Sequence, residues 1–153
     1  MPIYGKYDNL FSPELLDLKT VSSTAKASLK YNPSPANFTF QNGVIADSKF
    51  PFAGSGLKLI ASVAGDKVTN PTGESATAGS LTIELYDSET ENGTTAFTHK
   101  IATYGPFTSA TMENLGKLEF LEAGIPENAK AYIQVKVTGS AFASGKVWIR
   151  VGA

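Results

Sequence analysis

Hydrophobic and polar residues alternate along most of this chain with a period of two. In LTIELYD (81–87), Leu81, Ile83 and Leu85 alternate with Thr82, Glu84 and Tyr86. Towards the end, Ala131, Ile133, Val135 and Val137 alternate with Tyr132, Gln134, Lys136 and Thr138. After a Gly/Ser/Ala-rich break, Val147, Ile149 and Val151 alternate with Lys146, Trp148 and Arg150. Successive side chains of a strand point to opposite faces, so each run predicts a strand with one buried and one solvated side. The two closing runs, separated by so short a break, predict a terminal hairpin.

The same pattern continues elsewhere. LKTVSSTAKASLKY (18–31) holds one long or two short strands, broken at Asn32 to Pro35. NFTF and GVIA flank Gln41-Asn42-Gly43, where Asn-Gly is a tight-turn signal. LKLIASV (57–63), AFTHKIATY (96–104), FTSATM and KLEFL are further strands. A Gly/Thr/Ser/Asn/Pro-rich stretch at 65–79 is a loop, SETENGT (88–94) an acidic turn, and Gly105-Pro106 a turn after the 96–104 strand. Residues 1–17 differ. Tyr4, Tyr7, Leu10 and Phe11 crowd together before Ser12-Pro13-Glu14-Leu15-Leu16-Asp17, where Ser12 suits an N-cap and Pro13 the first position of a short helical turn. The prediction is an all-β, antiparallel jelly-roll-like sandwich of about eight to ten strands over 18–153, preceded by an N-terminal arm over 1–17. Seven strands instead would be immunoglobulin-like.

Composition narrows the function classes. With 153 residues the chain suits one domain, and 13 basic against 14 acidic residues leave a formal charge of −1. The basic residues are scattered singly, which argues against a nucleic-acid partner. No apolar run reaches the length of a membrane span, and MPIYGKYDN lacks the layout of a signal peptide, so no membrane association and synthesis in a cytoplasm are expected. The absence of cysteine excludes disulfides, thiolate metal sites and a cysteine nucleophile.

Candidate chemistry is sparse. His99 is the only histidine and shares a strand face with Phe97 and Ile101, the setting of an ordinary sheet residue. Asp87-Ser88-Glu89-Thr90-Glu91-Asn92-Gly93 offers oxygen ligands at alternate positions, as calcium needs, but lacks the spacing of a helix-flanked calcium loop. It reads foremost as a solvated hairpin tip. Gly54-Ser55-Gly56 has no following Lys-Ser or Lys-Thr and is a turn. No catalytic residue, metal or cofactor is predicted.

The aromatics carry more weight. Tyr4, Tyr7, Leu10 and Phe11 sit outside the strand pattern, Phe50 and Phe52 flank Pro51 in a loop, and Tyr132 and Trp148 fall on faces that should be polar. These eight residues are the candidates for partner contact. Trp148 and Tyr132 also suit a carbohydrate-binding sandwich, with the acidic turn as a possible calcium loop. Burying the few large apolar side chains of the arm falls short of the entropy lost in ordering its 17 residues, so the arm needs contacts beyond itself.

Three features resemble a known family. They are Asp8-Asn9-Leu10-Phe11-Ser12 leading into the Thr20 to Ala27 strand, the central pair GLKLIASV and SLTIELYDSET, and the ending GIPENAKAYIQV followed by TGSAFASGKV. Together they resemble the small jelly-roll cement, or decoration, proteins of tailed-bacteriophage heads. The insertion around Tyr31 to Phe52 departs from that pattern. The resemblance implies a non-enzymatic virion protein on the outer capsid surface. Its expected partners are the major capsid protein and further copies of itself, as a homotrimer or homodimer.

Overall fold

The protein is described here from a computed structural model covering residues 16–28, 58–64, 67–88, 98–113, 119–126 and 132–152. Most of the alternating runs form strands. In chain order they are β1 (Leu16–Asp17), β2 (Lys26–Ser28), β3 (Lys58–Val63), β4 (Ser80–Ser88), β5 (His99–Phe107), β6 (Glu119–Gly124), β7 (Tyr132–Ser140) and β8 (Lys146–Gly152). One short helix, α1 (Ser109–Glu113), lies between β5 and β6.

The strands make two antiparallel four-stranded sheets. The first has the order β1-β8-β3-β6 and the second β2-β7-β4-β5. Their inward rows meet in one apolar core: Leu16, Leu59, Ala61, Val147 and Ile149 from the first sheet, and Leu81, Ile83, Leu85, Val135 and Val137 from the second. Full burial of each Leu, Ile or Val contributes about 1.5–3 kcal/mol, so these rows dominate the stability of the two-layer arrangement.

The closing runs do not form a hairpin. β7 is an interior strand of the second sheet and β8 an interior strand of the first. The segment between them crosses from one layer to the other, so Val135 and Val137 face Val147 and Ile149 through the shared core. Gly145 eases this crossing with a φ of +129°. Period two fixes which face of a strand is buried, not which sheet it joins.

Other expectations are also corrected. Gly105-Pro106 does not turn the chain but lies within β5. β5 is an edge strand, where proline is tolerated because one side has no ladder to complete. FTSATM is not a strand: β5 ends at Phe107, and α1 follows. Thr108 starts that helix, its Oγ1 accepting from Thr111 N and its carbonyl from Met112 N, while Met112 is buried. Leu18 to Thr20, expected as strand, forms a 3-10 turn because the Asp17 carboxylate accepts from Lys19 N at 3.0 Å. Leu16 and Asp17, assigned to the arm's helical turn, are the strand β1. The NFTF and GVIA strands lie outside the described residues.

One end of the molecule is tied together through loops. Thr69 N donates to Ser144 O, Ala143 N donates to Thr69 O, and the Thr69 and Ser144 hydroxyls lie 2.6 Å apart. Asn70 donates to Ser109 Oγ and accepts from Gly79 N, closing the base of the otherwise exposed 72–78 loop.

Candidate functional site

Trp148 stands on the outer face of the first sheet. Val147 and Ile149 on either side of it are buried in the core, so its own side chain points away from the second sheet. It is 44% exposed and is the only exposed large hydrophobic residue among those described. Its register partner on β3 is Ser62, and Ser62 in turn faces Glu119 on β6. Two residues earlier on β8, exposed Lys146 lies opposite Asp17 of β1. Lys58 and Glu122, at the far end of the same face, form an ion pair of 3.0 Å. Among the described residues, the register thus sets Ser62, Glu119 and Lys146 near the indole on this face, with the buried Ile60 two residues from Ser62 along β3.

The second sheet carries a buried carboxylate. Asp87 continues the inward row Leu81, Ile83, Leu85 and is only 2% exposed. Its register partner on β5 is His99, and Asp87 Oδ1 lies 2.5 Å from His99 Nδ1. A carboxylate can only accept, so Nδ1 holds the proton and Nε2 is directed away from the pair. The imidazole itself is largely exposed. The acidic turn's first residue is therefore turned into the protein rather than towards a solvent ion. Residues 89–93 lie outside the described residues, and among those described no group of three or more metal-ligating side chains occurs.

The outer face of the second sheet is polar and interconnected across three strands. Tyr86 O–H donates to Glu84 Oε2 at 2.9 Å, Lys100 Nζ donates to Glu84 Oε1 at 3.4 Å, and Lys136 stands 4.4 Å above the Tyr86 ring centroid. Burial raises the Tyr86 pKa, and the hydrogen bond to Glu84 and that carboxylate's charge raise it further. Burial alone raises that of Tyr104.

Of the eight candidate contact residues, Trp148 alone has a described side-chain environment. Tyr132 opens β7 opposite Ser88, while Tyr4, Tyr7, Leu10, Phe11, Phe50 and Phe52 lie outside the described residues. The structure does not bring Tyr132 and Trp148 onto one sheet, since β7 and β8 belong to different layers. The Asp87–His99 pair escaped sequence analysis. The sequence reads Asp87 as the start of a solvated tip or calcium loop, and only the β4–β5 register brings it opposite His99. No protein-family model matches the chain, and no curated protein matches it.

Proposed function

We propose that this chain is a jelly-roll virion protein that binds the outside of a tailed-bacteriophage capsid and stabilises the mature shell by bridging capsomers. The observation that carries the jelly-roll part is the strand order. Pairings β1–β8, β2–β7, β3–β6 and β4–β5 are those of one long antiparallel ribbon folded back on itself. Pairings β3–β8 and β4–β7 are what wrapping that ribbon around a core adds. This order favours a jelly roll over an immunoglobulin-like arrangement.

Jelly rolls serve capsid proteins, lectins and cupins alike, so the fold selects no single function. The capsid assignment rests on the family resemblance at Asp8 to Ser12, in the central strands and in the chain's ending. In this account the arm is the anchor and the two-layer body the bridging mass. A protein that binds only the mature lattice shifts the equilibrium towards it by mass action. Attachment as an oligomer raises the effective concentration for each later contact. A near-neutral charge allows dense packing of copies without self-repulsion.

The test is to heat mature phage heads with and without the purified chain and follow DNA release. A higher release temperature that saturates with added protein is expected. An unchanged release temperature at saturating protein counts against shell stabilisation.

A further inference from the structure

We propose that Ser12 to Leu15 continue β1 along β8, so that the chain's own segment closes this edge of the first sheet. The backbone of β8 supplies the argument. Leu18 N donates to Gly145 O, next in line after the pairs Leu16–Val147 and Asp17–Lys146. Hydrogen-bonded and non-hydrogen-bonded pairs alternate along an antiparallel ladder, so Leu16–Val147 is of the bonded kind. The N–H and C=O groups of Val147, Ile149 and Val151 therefore face the β1 side. Those of Lys146, Trp148 and Arg150 face β3, in agreement with Ala64 N donating to Lys146 O.

β1 begins at Leu16, so beyond Val147 this edge of β8 has no partner strand among the described residues. Yet Ile149 as a whole residue is only 1% exposed. Its amide and carbonyl point to that edge and are shut off from water. Buried backbone polar groups are paired in more than about nine cases in ten, so another stretch of chain lies alongside. Ser12 to Leu15 are the occupant because they join β1 at this point and need no connecting loop. Continuing the register sets Leu15 opposite Trp148, Glu14 opposite Ile149, Pro13 opposite Arg150 and Ser12 opposite Val151. Glu14 and Ser12 then take the bonded positions and supply the N–H and C=O groups that Ile149 and Val151 need. Pro13 takes a non-bonded position, where the backbone nitrogen faces away from the neighbouring strand, so its missing N–H costs the ladder nothing. A register shifted by one residue would set Pro13 against a carbonyl it cannot serve. Facing outward, the proline also guards the new edge against a further strand.

Amide exchange read residue by residue by NMR tests this on the full chain and on chains lacking Met1 to Leu10 or Met1 to Leu15. Ile149 and Val151 should be protected in the first two. In the third their exchange should quicken about a hundredfold or more, while Trp148 and Arg150, bonded to β3, stay slow. That alternation separates loss of the edge strand from a general loosening of the fold. The proposal is overturned by unchanged protection of Ile149 and Val151 without Met1 to Leu15, or by fast exchange there in the full chain. Protection that vanishes on dilution would give the segment to a second copy and overturn it too. If the shortest chain loosens throughout or does not fold, cross-linking decides. The chain has no cysteine, and a non-bonded pair brings its Cα atoms to about 4.5 Å, within disulfide reach. Pro13→Cys combined with Arg150→Cys should close an intramolecular disulfide under mild oxidation. A chain that stays reduced, or links to a second chain, contradicts the pairing. The chain lacking Met1 to Leu10 should keep its edge protection whether or not it attaches to heads, so this proposal and the capsid assignment fail separately.

Discussion

Asp87 shows how much one residue's meaning depends on its partner across the sheet. As the first residue of an acidic run it suggests a solvated tip or a calcium ligand. Placed in the inward row beyond Leu85 and joined to His99, it secures the pairing of β4 with β5. Removing the imidazole takes one hydrogen-bond donor from a buried carboxylate, which should cost about 1–3 kcal/mol in His99→Ala. Urea unfolding measures this, and an unchanged midpoint would contradict the role given to the pair. Tyr86 sets a second expectation at the same scale. Its folded pKa is raised above the ordinary value near 10, so the native state holds the proton more tightly than the unfolded chain. Its contribution to stability is therefore complete below about pH 10 and is lost as pH rises through the folded pKa. Tyr86→Phe should be less sensitive to alkali across that window, as followed by circular dichroism.

At the scale of elements, the inward rows were legible because burial imposes period two. Leu81, Ile83 and Leu85 are all fully buried, as are Val135 and Val147. Truncating one of them, as in Ile83→Ala, should destabilise the fold by about 2–5 kcal/mol in chemical denaturation. The destination of β7 and β8 was not legible, because alternation is the same in either sheet. Nor was α1 legible: FTSATM is rich in β-favouring residues, and the capping by Thr108 and the burial of Met112 override that propensity. Gly139 is another local requirement. Its φ is +152°, and an added Cβ would lie 2.0 Å from Ser80 O, a backbone atom of the paired strand. Gly139→Ala should cost more than about 2 kcal/mol, visible as a lower melting temperature, because the β7–β4 ladder must shift to accept it. Trp148 was legible as an outward aromatic between Val147 and Ile149. Its charged surroundings became visible only once β1, β3 and β6 were in register beside β8.

For the whole molecule, the question is which surfaces are left for partners. The long edge strand β5 carries two register shifts and Pro106, and the edge strand β6 meets β3 through a further shift. Such bulges and prolines blunt an edge against adding another strand. β7 and β8 are interior, so the chain's ending offers no free hairpin for contact either. That leaves the short edges β1 and β2, the faces, the loops and the segment before β1, which is the anchor in the proposed function. Deleting Met1 to Leu15 keeps β1 and should yield a chain with an unaltered far-ultraviolet spectrum and cooperative unfolding that no longer attaches to heads. Attachment by the shortened chain would move the anchor to the body. The capsid assignment itself is tested most directly by co-sedimentation of the full-length chain with mature, expanded heads and with unexpanded precursor shells from the same phage. Saturable binding to mature heads at a fixed ratio per capsomer, with little on precursor shells, is the predicted result. A chain that stays in the supernatant with both would contradict it.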